Sequence, residues 1–387
     1  MKMTFLTVWA ICVAVGLALG TAQDAASAEL VKVPGMGELR ISEPQTHKNL
    51  TVFVLYRSER PERQVDYLTL DEAAKAKLVE ITEAKNEQVR QLAISYTGDQ
   101  PLFLIAGELV TGGKQDRTLE SSLVIPPGTK YAVLPSFCVE QSRWSGGKRF
   151  MPGNNLAPNA SQQALNVGAQ RAVWGSVSRY KSVLREKASA AAGTAAKPSR
   201  TSSLNEELAD TEVKDLLGGY EKALAKVGSE LACPLGLAYA VDGKVTAVHV
   251  FHSSLLFAKL KPRLIRSAAI DATVGQTDKQ PPAATPNDLR DFLAAAGDGR
   301  KTTTELGLEN VSIRYVNDKT FTSLLEYQGT TVHSQVGRFD KTLAGGARPR
   351  QTFGRNARQQ WGNLLPQSND GGNQPQQTVP RQSRPRR

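Results

Sequence analysis

The stretch Leu102–Trp144, LFLIAGELVTGGKQDRTLESSLVIPPGTKYAVLPSFCVEQSRW, constrains this chain more than any other. Three apolar runs, Leu102–Val110, Leu119–Ile125 and Tyr131–Val139, are separated by Thr-Gly-Gly at 111–113 and Pro-Pro-Gly at 126–128. Short runs of Leu, Ile, Val and Phe bounded by Gly and Pro predict strands rather than helices. Charges break the pattern. Glu108 and Glu140 interrupt apolar runs, Arg117 and Arg143 follow close behind, and Cys138 stands two residues before Glu140. A charge inside an apolar strand costs free energy unless it is paired, so these residues need partners in the protein or in a ligand.

Within this stretch, GELVTGGKQDRTL followed by CVEQSRW resembles the ARG (ADP-ribosylglycohydrolase) and rhodanese-phosphatase-superfamily-associated protein domain. The resemblance is dense over Leu102–Trp144 and looser from Ile41 to Ala269. That family takes its name from its genomic company, and its biochemistry is undefined. What the resemblance implies is an association with nucleotide- or ADP-ribose-like ligands, not a reaction.

Residues 1–28 read as a secretory signal: Lys2, an apolar run Phe5–Leu19, and Ala26-Ser27-Ala28 as a small-residue cleavage site. The expected location is therefore exported, periplasmic or secreted, with no membrane-spanning segment after cleavage. The formal charge of +11 is concentrated at the other end. Residues 341–387 hold nine Lys and Arg against Asp370 alone, net +8, which leaves 29–340 at +3 because Lys2 offsets Asp24. A near-neutral body with a basic appendix is not the footprint of a folded nucleic-acid-binding face. The tail is rich in Gly, Gln, Asn, Pro and Arg, a composition that predicts disorder and attraction to an anionic envelope surface.

Between these ends the sequence predicts one composite domain over 29–340. Leu50–Tyr56 reads as a strand. Thr69-Leu70-Asp71-Glu72 is a capping box opening a helix with Ala74, Leu78 and Ile81 on one face and an end near Lys85. Val89–Tyr96 alternates as a half-buried strand. Ser145–Pro158, rich in Gly, Asn and Pro, reads as a loop of the kind that carries binding residues. A helix is expected over Ser161–Glu186, with Trp174 bordering its apolar face, as packing or as a ligand platform. Flexible segments are expected near 187–203 and 271–287. Ser203-Leu204-Asn205-Glu206 is a second capping box, and Asp242-Gly243 predicts a hairpin. A helix from Ser253 or Ser254 to Ala269, a short one near Asp288–Ala296, and a meander of Val311–Val316, Phe321–Tyr327 and Val332–Phe339 complete the domain. The fold class is α+β: mostly antiparallel sheet with several packed helices.

The candidate site residues all fall in the central stretch. Gly112 and Gly113 have two readings, a strand-joining turn needing positive φ or a backbone nest for an anion. Gln115, Asp116 and Arg117 would stand at its mouth, and Arg143 and Trp144 would complete a ligand-binding set. Cys138 has three readings: a disulfide to Cys233, a nucleophile activated by Arg143 and assisted by Glu140, or an inert packing thiol. Glu108 and Glu140 form either a general acid/base pair or a salt-bridge network with Arg117 and Arg143. The four histidines and three cysteines show no metal-ligand spacing, and no cofactor is implied. Three functions follow: a binding module with a polar pocket for a small anionic ligand, a hydrolytic enzyme using Glu140, Glu108 or Cys138, or a structural envelope protein.

Overall fold

A computed structural model describes residues 30–84, 90–141, 143, 145–195, 202–275 and 282–340. The expectations for the signal segment 1–28, for Trp144, for parts of both flexible segments and for the tail 341–387 lie outside the described residues.

The class is α+β, and the sheets are antiparallel but for one short pairing. In chain order the elements are β1 (Leu30–Val33), β2 (Gly37–Ile41), β3 (Gln45–His47), β4 (Leu50–Arg57), β5 (Leu68–Thr69), α1 (Leu70–Lys75), β6 (Val79–Glu83), β7 (Gln91–Tyr96), β8 (Leu102–Leu104), β9 (Glu108–Gly112), β10 (Arg117–Leu119), β11 (Leu123–Ile125), β12 (Ala132–Cys138) and β13 (Arg149–Leu156). There follow α2 (Asn159–Asn166), α3 (Gln170–Ala191), α4 (Leu204–Ala209), α5 (Thr211–Leu224), β14 (Cys233–Val241), β15 (Lys244–Phe251), α6 (Ser254–Gly275), α7 (Pro286–Ala294), β16 (Arg300–Gly307), β17 (Asn310–Val316), β18 (Thr320–Tyr327) and β19 (Thr330–Arg338). Strands β10, β12, β7, β6, β13 and β9 close into a barrel. A large sheet runs β1-β2-β4-β14-β15-β19-β18-β17-β16, with β3 on β4, and β11-β8-β5 form a small third sheet.

The hairpin at Asp242-Gly243 forms as its chemistry demands, with φ of 48° and 72°, both in the left-handed region that a two-residue turn of this type needs. The capping box at Thr69 also forms: its side chain accepts from the Glu72 amide while Glu72 accepts from the Thr69 amide. The helix it opens is much shorter than expected. Lys77 takes φ 59°, and the Leu78 and Lys77 amides donate to Ala73 and Ala74, closing the helix in a Schellman motif. Val-Glu-Ile-Thr-Glu, with its β-branched residues, then enters the barrel as β6, paired with β7 and β13. Residues 161–186 are likewise two helices, because Gly168 at φ 70° ends α2 in the same way.

The three central runs also differ from expectation. Leu102–Val110 divides into β8 and β9 at Gly107, φ 82°, and the run Leu119–Ile125 divides between β10 and β11. At both points the chain leaves one sheet for another, which a single long strand cannot do. Ser145–Pro158 is not a plain loop: β13 pairs with β9 and β6, and its register shifts between Pro152 and Leu156. Pro152, which has no amide to donate, sits at the edge of that irregularity, and Asn154 takes φ 56° within it. Residues 271–275 belong to helix α6, and Asp271 is buried there, accepting from Tyr180, from Tyr239 at 2.6 Å and from the Asn159 amide at 3.0 Å. The expected three-strand meander is a four-strand one, extended by the polar strand β16.

The largest core lies between the helices and one face of the large sheet, around Leu217, Leu264, Leu237 and Phe251. The β10–β11 connection and the small sheet are joined to the large sheet by buried polar contacts. The Asn310 side chain pairs with the Val124 amide and carbonyl, both at 2.8 Å, and Ser122 Oγ meets His333 Nδ1 at 2.9 Å. Arg314 donates to Glu120 and to Ser121 Oγ. No described helix is long and apolar enough to cross a membrane.

Candidate functional site: a polar cleft beside the barrel

The turn between β9 and β10 is built by its two glycines. Gly112 has φ 120° and Gly113 φ 51°; a Cβ at Gly112 would lie 2.4 Å from the Arg149 carbonyl. The turn reading therefore holds, and the nest is already filled by the protein. The Gly112 amide donates to Asp116 Oδ1 at 3.0 Å, the Gly113 amide to the Arg149 carbonyl at 3.0 Å, and the Lys114 amide to Glu83 Oε1 at 3.0 Å.

Arg143 closes this turn. Its Nε reaches both Glu140 oxygens at 3.0 Å, Nη1 the Gly113 and Ser145 carbonyls at 2.9 Å, and Nη2 the Gly112 carbonyl at 3.2 Å and Asp116 Oδ1 at 3.1 Å. These hydrogen bonds to Glu140 raise the Arg143 pKa above its ordinary value, against the opposing effect of partial burial. Asp116, buried, also accepts from Ser203 Oγ at 2.5 Å; burial is the largest influence and lifts its carboxyl above the usual range. Ser203 thus ties the start of α4 to the barrel, besides capping the Glu206 amide at 3.3 Å. The second capping box lacks its reciprocal bond from Glu206.

Arg117 is fully buried. It donates to Cys138 Sγ at 2.8 Å and to Gln115 Oε1 at 3.4 Å, with Glu83 3.7 Å away. Cys138 is a free thiol with zero exposure, and burial pushes it up despite the neighbouring guanidinium. Arg117, not Arg143, is its cationic neighbour. Cys233 is also free and buried, on β14 of the large sheet, so the disulfide reading is corrected.

Glu108 does not join the others. Arg263 of α6 binds its Oε1, the Ile105 amide reaches its Oε2 at 3.3 Å, and Asp71 lies 3.4 Å from the same guanidinium nitrogen. Desolvation raises the Glu108 pKa, with Arg263 opposing. The two glutamates therefore belong to separate networks, Glu140 with Arg143 and Glu108 with Arg263. A convergent acid/base pair is absent, and the salt-bridge reading holds with one changed partner.

Next to the Arg143 cluster opens a cleft of about 920 Å³. Among the expected site residues that the structure describes, Gly112, Asp116 and Arg143 line it. The rest of its wall comes from residues that sequence reasoning missed as a group: Arg149 and the bulged Gly153-Asn154-Asn155 of β13, Asn205 and Glu206 of α4, Lys214 of α5 and Arg266 of α6. The Gly-Asn-Asn within Ser145–Pro158 was the one available signal. Arg266 donates to Asn155 Oδ1 at 2.8 Å, Glu221 at 2.5 Å and the Leu208 carbonyl at 3.0 Å, and Asn155 donates to Asn205 Oδ1 at 3.3 Å. A Cβ at Gly153 would lie 2.7 Å from the Asn205 side-chain amide, so the Asn205 side chain packs directly on the backbone there. Arg149, with its side chain 79% exposed, holds only an open pair to Glu80, and Lys214 has no ion pair among the described residues. The described residues contain no grouping of His, Cys, Asp and Glu fit to hold a metal ion.

No curated protein matches this chain, and no solved structure does either. The family described as the ARG and Rhodanese-Phosphatase-superfamily-associated Protein domain matches residues 38–336, which take in the barrel, the cleft and nearly all of the large sheet. A match over that much of the sequence places the chain: it belongs to the ARG and rhodanese-phosphatase-superfamily-associated protein domain family.

Proposed function

We propose that the protein is a binding module and that the cleft between β13 and helices α4, α5 and α6 takes a small anionic ligand. One observation carries this reading. Four cations, Arg143, Arg149, Lys214 and Arg266, line the cleft beside two carboxylates, Asp116 and Glu206; Arg143 and Arg266 are also paired with Glu140 and Glu221 behind the lining, which leaves exposed Arg149 and Lys214 as the cations open to a ligand. Its volume of about 920 Å³ suits a small molecule. Nucleotide- or ADP-ribose-like ligands, which the family's genomic company suggests, satisfy the same charge requirement. The hydrolytic reading has less support, since Glu108, Glu140 and Cys138 do not line the cleft and each is buried against its own partner.

Calorimetric titration with inorganic phosphate, sulfate and ADP-ribose tests this. Saturable binding by at least one of them, weakened several-fold by Lys214→Gln, supports the reading. No saturable binding of any, or affinities unchanged by Lys214→Gln and Arg149→Gln, removes it.

A further inference from the structure

The cations of the cleft are not gathered at one point. Arg143 bonds the Gly112 carbonyl, and Arg149 adjoins Phe150, which pairs with Gly112 in the ladder. Arg266 instead bonds Asn155, which adjoins Leu156, paired with Glu108. Lys214 is assigned to the same end from its place in the chain, on the first turn of α5, which follows the helix α4 whose Leu208 carbonyl Arg266 reaches. Gly112 and Glu108 are four residues apart on β9, roughly 13 Å of strand at ~3.3 Å per residue, so the Arg143 and Arg266 heads are anchored at different points along that strand. Between them the wall is neutral and hydrogen-bonding: Thr111, Asn154, Asn155 and Asn205.

We infer that the cleft recognises an elongated ligand with anionic groups at both ends and hydroxyls between them, the chemistry of a short acidic oligosaccharide. This rests on the anion-binding reading of the same cleft. A compact monoanion satisfies one cationic end and leaves the other idle, whereas a linear oligoanion engages both. Amide and hydroxyl side chains can donate to and accept from sugar hydroxyls, which a cleft built only for charge would not need. Two cations are unencumbered enough to take part at once: Arg149, whose exposed pair with Glu80 is weak and easily exchanged, at one end, and Lys214 at the other. The Arg143 and Arg266 heads are already engaged by Glu140, Asp116 and Glu221 and fix the wall at each end.

The test is titration of the full chain with mono-, di-, tri- and tetragalacturonate. Linking two anionic ends should make the trimer bind roughly tenfold or more tighter than the monomer, with little further gain at the tetramer. Arg149→Gln and Lys214→Gln, both at exposed positions, should each return the trimer to near the monomer's affinity. Equal affinity for monomer and trimer, or a trimer indifferent to both substitutions, overturns the inference. If phosphate or ADP-ribose binds and no galacturonate does, the oligosaccharide inference falls while the anion site stands; if no anion binds, both fall.

Discussion

The Arg143 guanidinium lies against the Glu140 carboxylate with Nε 3.0 Å from both oxygens and Nη2 2.7 Å from Oε2. Glu140 is almost fully buried and also accepts from the Asp116 amide at 3.0 Å. One side chain therefore neutralises two buried carboxylates and holds two carbonyls of the β9–β10 turn, Gly112 and Gly113, together with that of Ser145. Arg143→Gln should destabilise the protein by about 2–4 kcal/mol, since the carboxylates stay buried without their cation. Arg143→Lys should recover only part of this, because an ammonium cannot reproduce the planar fork. Urea unfolding measures both, and a loss under about 1 kcal/mol for Arg143→Gln would contradict the assignment.

Glu108 and Arg263 form the second buried pair, far apart in sequence and closed off from the cleft. Removing Glu108 alone leaves a guanidinium in the interior with only Asp71 nearby, and Glu108→Gln should cost about 3 kcal/mol or more. Replacing both, as Glu108→Leu with Arg263→Met, should recover at least half of that loss. If the double variant is as unstable as the sum of its single variants, the pair is not acting as a unit.

His249 and His333 stack 5.5 Å apart on β15 and β19 of the large sheet, beside Phe251 and beside Ser122 of the β10–β11 connection. Burial holds His249 down at about 4 and, with His249 as neighbour, His333 well below its ordinary value. Both folded values lie below the unfolded ones, so the unfolded chain binds more protons as pH falls. The stability they contribute is complete above about 6.5 and is lost as pH drops towards about 4. His249 alone should cost about 2 kcal/mol between pH 7.5 and pH 5. The raised carboxyls of Glu108, Asp116 and Asp271 act in the opposite sense on acidification. Unfolding of His249→Gln at the two pH values isolates the histidine contribution: the drop should shrink, and an unchanged drop would refute this account.

In a chain beginning at Glu29, Cys138 and Cys233 should be the two thiols that appear in denaturant without any reductant. Neither should react with a thiol reagent in the native protein at neutral pH, because both are buried and the Cys138 thiol is pushed up by burial. Rapid native modification of Cys138 would revive the nucleophile reading.

Features under short-range chemical control were legible before any fold was known. Asp242-Gly243, the Thr69 capping box, the positive φ at Gly112 and Gly113, and the strand character of 102–139 all follow from a few adjacent residues. The sequence also marked Glu108, Arg117, Glu140 and Arg143 as charges that required partners. Which partners they found was decided by tertiary structure. Arg263 reaches Glu108 across 155 positions, and Arg117 meets Cys138 only because β10 pairs with β12. Closure of the barrel cut the apolar runs at Gly107 and after Leu119 and drew Val79–Glu83 and Arg149–Leu156 into strands where a helix and a loop were expected. The cleft is the extreme case. Its wall comes from β9, β13, α4, α5 and α6, and no local spacing records that Arg149, Asn205, Lys214 and Arg266 meet, because only the packing of helices on the barrel brings them together.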